Sequence, residues 1–176
     1  RSLAGRDLLS LALELRRITQ DRALLIVSER VDIAVASGAD GVQLGEQSMS
    51  VSAAKYVCGD RLIIGRSVHD IYGAQDAESD GADFLIAGTI FASKSHPGMG
   101  AAGTALISEI TGSVSAPTLG IGGVTASNAA DVIAAGAAGI AVIRAILNSS
   151  SPREAAAALA AETGLATPSA GDGTKQ

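Results

Sequence analysis

Aromatic side chains are nearly absent from this 176-residue chain, which has two Phe, two Tyr and no Trp. Its core must be built from small and branched aliphatic groups, and with 47% apolar residues there are enough of them for one globular domain. The single cysteine, Cys58, excludes an internal disulfide. No apolar run approaches the roughly 20 residues of a membrane-spanning helix, and no charged-then-apolar leader opens the chain. A reducing cytoplasm is the expected compartment. Basic residues are few and scattered, 13 Lys+Arg against 18 Asp+Glu for a net charge of -5, which excludes nucleic acid and anionic membrane as general partners. Any anionic ligand must be held locally. Histidine occurs only twice, at His69 and His96, each just past an apolar run.

What is abundant is short aliphatic runs. Segments 23–28, 41–44, 62–68, 84–91, 118–124 and 139–143 are continuous and rich in Val, Ile and Leu, as strands buried on both faces are in parallel sheets. Helix-like stretches lie around them at 6–19, 31–37, 51–58, 72–80, 106–111 and 127–135. Three strands are announced by a recurring phrase, Gly38-Ala39-Asp40, Gly81-Ala82-Asp83 and Gly136-Ala137-Ala138. Glycine just past a helix supplies a left-handed cap, so the phrase reads as a reused helix-to-strand turn. Six βα units predict an α/β fold, a (β/α)8 TIM barrel lacking its first one to two strands, since a full barrel typically takes about 250 residues. A doubly wound open sheet is the alternative. Residues 1–165 form the expected domain, and 166–176, without apolar period, an expected disordered tail.

In a parallel α/β fold, chemistry gathers at the carboxyl ends of the strands. Gly122-Gly123 closes one strand, and Ile143-Arg144 lies one unit later. Alone, the two glycines make a tight turn; with the second segment they form a candidate phosphate cradle, because glycines let backbone N–H groups approach the anion. Alternation along Gly65-Arg66-Ser67-Val68-His69 puts Ser67 and His69 on one face and Arg66 and Val68 on the other. His69 there is either a structural residue or an acid/base, its ordinary pKa lying near neutrality. The loop holding Ser93, Lys94, Ser95 and His96 has the polar content to wrap an anionic or heteroaromatic ligand. Glu29 and Glu46 follow strands and reach toward a hard cation such as Mg²⁺, while Asp32 falls on the next helix. No zinc spacing and no Ser-His-Asp set is apparent.

At these residues the chain resembles the thiamine phosphate synthase and thiazole tautomerase (TenI-type) family of barrels. The resemblance runs through Glu29-Arg30-Val31-Asp32-Ile33-Ala34, the phrase from Gly38 to Gly45, Ile64-Gly65-Arg66-Ser67-Val68-His69, Gly120-Ile121-Gly122-Gly123-Val124 and the segment from Gly136 to Ile143. It implies that the first strand, its helix and the second strand precede this chain, with Arg1 a remnant of the latter. It also implies a phosphate on Gly122, Gly123 and the backbone near Ile143 and Arg144, with Ser67, Arg66, Ser93, Ser95 and His96 around the heterocycle or diphosphate. A synthase has Asn-Asp where this chain has Ser28-Glu29, and an aspartate where it has Ser48, leaving Glu29 as the one candidate metal ligand. The family's loop lysine is here His96. Gln43 and the string ending in His69 are similar to the tautomerase branch.

The leading expectation is therefore a tautomerase that needs no cofactor, with His69 and Ser67 catalytic and a thiazole phosphate as its small-molecule partner. The alternatives are a Mg²⁺-dependent thiamine phosphate synthase, joining hydroxymethylpyrimidine diphosphate to the thiazole phosphate, and a non-catalytic regulator that binds thiazole or thiamine phosphate. An open barrel edge also predicts a homo-oligomer.

Overall fold

The computed structural model describes residues 4–92 and 100–164. Among them, parallel strands β1 (Ile26–Ser28), β2 (Gly41–Leu44), β3 (Ile63–Val68), β4 (Phe84–Gly88), β5 (Thr118–Ile121) and β6 (Gly139–Ala141) pair in the order in which they occur in the chain. A doubly wound sheet reverses its strand order part-way; here there is no reversal, so that alternative falls. The helices are α1 (Gly5–Thr19), α2 (Val31–Ser37), α3 (Val51–Cys58), α4 (Ile71–Ser79), α5 (Ala105–Thr111), α6 (Ala129–Ala134), α7 (Arg144–Leu147) and α8 (Pro152–Thr163). The sheet is a curled, open part of a (β/α)8 barrel, with β1 and β6 as its edges among the described residues.

The recurring Gly-Ala phrase repeats one geometry. Gly38, Gly81 and Gly136 all have positive φ, at 66°, 90° and 105°. The next amide in each, of Ala39, Ala82 and Ala137, donates back five residues to Ala34, Ala77 and Val132. That is a left-handed helix cap which turns the chain back into the sheet. In two of the three, the aspartate then serves the preceding strand: Leu25 N donates to Asp40 Oδ2 and Ile64 N to Asp83 Oδ2, both at 2.7 Å. The Leu25 amide, and to a lesser degree Arg16 at 2.6 Å, hold the Asp40 carboxyl below its ordinary pKa.

Alternation divides each strand between two environments. Val42, Leu44, Ile64, Leu85 and Ala87 are fully buried under the helices. A β-carbon added at Gly120 would strike Val132 of α6 at 2.4 Å, whereas one at Gly65 would strike Gln43 and the Phe84 ring. Gly120 therefore faces the helices, and Gly65, Gln43 and Phe84 share the concave inner face. Ile26, Ile63, Phe84, Ile86, Leu119 and Ile121 stay half-buried there.

Several elements are shorter than expected. The strand expected over 84–91 stops at Gly88, and Ile90 N and Phe91 N donate instead to Ile121 O and Gly122 O. The strand expected over 118–124 stops at Ile121, because Gly122 and Gly123 turn to φ of 101° and 63°. α7 and α8 were not anticipated, although Pro152 in the first turn of α8 and Gly164 at its left-handed cap are start and stop signals.

Candidate functional site

The polar side chains with chemical potential meet at the carboxyl ends of β1, β2 and β3. Ser67, the last inward-facing residue of β3, accepts a hydrogen bond from Gln43 Nε2 at 3.1 Å. His69, directly after β3, contacts the Gly88 carbonyl at the end of β4 through Nδ1. Its Nε2 lies 3.7 Å from Glu46 Oε2, with 39% of the His69 side chain and 62% of the Glu46 side chain exposed. Gln43 Oε1 is buried and, among the described residues, unpartnered. A cavity lined mostly by residues on and around α3 and α4, among them Val51, Tyr72 and Asp76, also touches Glu46, Arg66, Ser67 and His69.

Arg66 points the other way, toward the helices, as alternation predicts. Its guanidinium donates to the Met49 and Glu46 carbonyls at 3.0 and 3.1 Å. The placement makes it a tie for the loop after β2. That loop is fastened on its other side by Glu29, a residue with φ of 66°. Gly45 N donates to Glu29 Oε1 at 2.9 Å, and Ser48 Oγ donates to Glu29 Oε2.

The glycine turn after β5 sits against the loop after β4. A β-carbon at Gly122 would lie 2.5 Å from Thr89 Cγ2, and one at Gly123 2.7 Å from Ala92 O. Asn128 holds the turn open: its Oδ1 accepts from Thr125 N at 2.8 Å and its Nδ2 donates to Gly123 O at 3.2 Å. No described residue accepts a hydrogen bond from the amides of Gly122, Gly123 or Arg144. Ile143 and Arg144 are exposed at the start of α7, one unit along the sheet. Among the described residues, then, these amides have no acceptor, and such amides suit an anion.

Ser93, Ser95 and His96, like the expected tail over 166–176 and Arg1, lie outside the described residues. Glu46, expected to reach for a cation, instead faces His69. Asn128 and the Gly88 carbonyl were missed; Asn128 carried a signal, an Asn standing directly before a helix.

The fit to Mg²⁺ is poor. Among the described residues no group of three His, Cys, Asp or Glu is arranged to hold a metal. Mg²⁺ takes one or two free carboxylates besides substrate phosphates. Here Glu29 is the one carboxylate at the position, both its oxygens already accept hydrogen bonds, and Ser48 brings no charge. Asp32 is occupied by Arg30 on the exposed start of α2, which draws its pKa down to about 2.

Fold and site together define a class: a (β/α)-barrel protein whose polar groups and free strand-end amides collect at the carboxyl end of the sheet. Residues 1–146 match the family model described as thiamine monophosphate synthase, and the chain belongs to that family. It is 46% identical over 160 residues to the thiamine-phosphate synthase of Methanoculleus marisnigri, covering 89% of this chain and 75% of that one. To the thiamine-phosphate synthase of Haloarcula marismortui it is 40% identical over 160 residues, covering 88% and 76%. The solved thiamine phosphate pyrophosphorylase from Pyrococcus furiosus superposes with a TM-score of 0.86 at 36% identity, covering 93% of this chain and 79% of that one. The protein is thus an enzyme of thiamine biosynthesis. The first two relatives are named as synthases, which favours the second of the sequence readings over the tautomerase placed first. No helix among the described residues is long and apolar enough to cross a membrane.

Proposed function

We propose that this protein is a thiamine-phosphate synthase that joins hydroxymethylpyrimidine diphosphate to a thiazole phosphate. The observation that carries the reading is the 46% identity to a synthase over 160 residues, which span the strand ends where the site lies. In this reading the amides of Gly122, Gly123 and Arg144 receive the thiazole phosphate, the group for which backbone N–H donors at strand and helix ends are suited. The heterocycle lies along the half-buried inner face near Ile86 and Ile121, within reach of Ser67. Arg66 ties the loop after β2 by two of its donors; Ser93, Ser95 and His96 keep their assignment by resemblance. A ring nitrogen of the thiazole forms the new bond to the pyrimidine methylene as diphosphate leaves.

One observation favours a second reading. Glu29 and Ser48 are engaged with each other where a synthase would keep two carboxylates, whereas His69 has an accessible nitrogen at the mouth. A thiazole tautomerase needs only such a group, which takes a proton from one ligand carbon and returns it at another. The full-length protein assayed with both synthase substrates, with and without Mg²⁺, and separately with the carboxythiazole phosphate tautomer decides between them. Thiamine phosphate formation from the two substrates is expected. Its absence together with tautomer turnover, lost about 10²–10⁴-fold in His69→Ala at nearly unchanged affinity, would replace the synthase with the tautomerase. Tight binding of thiazole phosphate without either turnover would leave a regulator.

A further inference from the structure

Two hydrogen-bonding arrangements converge on Glu46. The first fixes the His69 ring. A carbonyl only accepts, so the nitrogen facing Gly88 O must be the protonated one; in the neutral ring this leaves Nε2 as the free base. The second fixes the backbone that carries Glu46. Glu29 holds Gly45 and Ser48 from the β1 side, and Arg66 holds the Glu46 and Met49 carbonyls from the β3 side. The loop is thereby clamped at both ends, and the carboxylate it presents lies 3.7 Å from Nε2, the nitrogen left free.

We propose that Glu46 is a positioning residue for His69: its carboxylate pairs with the imidazolium that exists while Nε2 holds a proton taken from the ligand. The proton moves from the ligand to Nε2 and back to the ligand, and Glu46 neither gains nor loses one. The proposal rests on the second of the two readings above, the tautomerase, in which His69 moves a proton of the thiazole phosphate. Both side chains are partly exposed, so the pair is of the solvent-screened kind, worth about a two- to fivefold change in an equilibrium or rate.

The test uses the full-length protein and the variants Glu46→Gln, Glu46→Asp and His69→Gln. Glu46→Gln is expected to lower kcat for tautomer turnover about two- to fivefold with KM within about twofold, and Glu46→Asp to restore part of the loss. About 1 M salt, where the Debye length is about 3 Å, lowers the wild-type rate toward that of Glu46→Gln and leaves the variant unchanged. In a His69→Gln background the further change Glu46→Gln has no effect, because the partner is gone. A Glu46→Gln loss that persists undiminished in that background, or that salt does not mimic, overturns the proposal. Nitrogen NMR of the ligand-free protein at mildly acid pH, where an imidazole carries both protons and a carboxylate stays ionised, supplies a readout without turnover: Glu46→Gln shifts the His69 Nε2 resonance and leaves Nδ1 hydrogen-bonded. An unmoved Nε2 resonance overturns the pairing. A wild type that does not turn over the tautomer, whether or not it forms thiamine phosphate, while that resonance moves sinks the tautomerase reading alone and supports the pair.

Discussion

Replacing Gly122 by alanine tests stability and ligand capture at one position. The residue has φ of 101°, and its β-carbon would lie 2.5 Å from Thr89 Cγ2 and 2.9 Å from Thr89 Cα. An L-residue in left-handed backbone costs about 1–2 kcal/mol. The overlap with Thr89 involves main chain, which moves only with the whole loop after β4, and overpacking of that kind costs about 1–3 kcal/mol. The sum, about 2–5 kcal/mol, corresponds to a fall in Tm of at least about 4 °C for a protein of this size. Gly38→Ala is the internal control: φ is 66°, but nothing lies within 4 Å of the added carbon, so only the backbone cost of about 1–2 kcal/mol applies. Thermal melts of the two variants side by side separate close approach from backbone strain. Calorimetric titration with thiazole phosphate then asks whether the displaced turn still offers its amides, and affinity is expected to fall at least about tenfold, one lost charge-assisted hydrogen bond being worth about 1.5–3 kcal/mol. If Gly122→Ala loses no more stability than Gly38→Ala, the close-approach reasoning is wrong. If the folded variant binds as tightly as wild type, the anion is held elsewhere.

Asp83→Ala leaves the amide of the fully buried Ile64 without its acceptor at 2.7 Å, a loss of about 1–3 kcal/mol that Asp83→Asn largely avoids; melts should show it while turnover stays intact, since Asp83 lies at the opposite end of the strands. Asp40, whose carboxyl is held below its ordinary value, contributes stability that is fully present above about pH 4, the unfolded value, and is lost as pH falls through the lower folded value. Wild-type Tm should therefore drop more steeply than that of Asp40→Asn below pH 4, and parallel curves would contradict the assignment. Ser48→Asp replaces the hydroxyl on Glu29 by a second carboxylate, so the variant should melt lower in chelator and recover with Mg²⁺, by about 2.7 kcal/mol at a hundred times its dissociation constant. An equal Mg²⁺ response in the wild type would show that Glu29 binds the ion unaided.

The parallel sheet was legible because burial on both faces leaves continuous aliphatic runs, and because the turn feeding the sheet is spelled with the same residues three times. Strand ends were not, since 89–91 and 122–124 remain apolar while their hydrogen bonds pass between neighbouring loops. Positions on the inner face were also readable: alternation alone separates Ser67 and His69 from Arg66. The distant partners were not. That Arg66 ends on the carbonyls of Glu46 and Met49, or that His69 meets Gly88 and Glu46, depends on loops brought together by the sheet, at separations of about 20 residues that no local period reports.

The same dependence on a neighbour explains what has become of Glu29. Two carboxylates facing each other repel, and a cation between them relieves the repulsion; each is then a ligand. When one of the two is a serine, the repulsion is gone and the hydroxyl has a proton to give, so the remaining carboxylate is satisfied by Ser48 and by the Gly45 amide without any ion. The interaction changes from one that needs a metal to one that closes a loop, and the loop it closes carries Glu46 toward His69. Serine at position 48 thus leaves Glu29 closing the loop rather than free for a metal, and the loop it closes lies beside His69. Changing Glu29 or Ser48 alters both the metal position and the loop at once, because either replacement releases the loop; Glu46→Gln alone removes the charge beside His69 and leaves the Glu29–Ser48 contact in place.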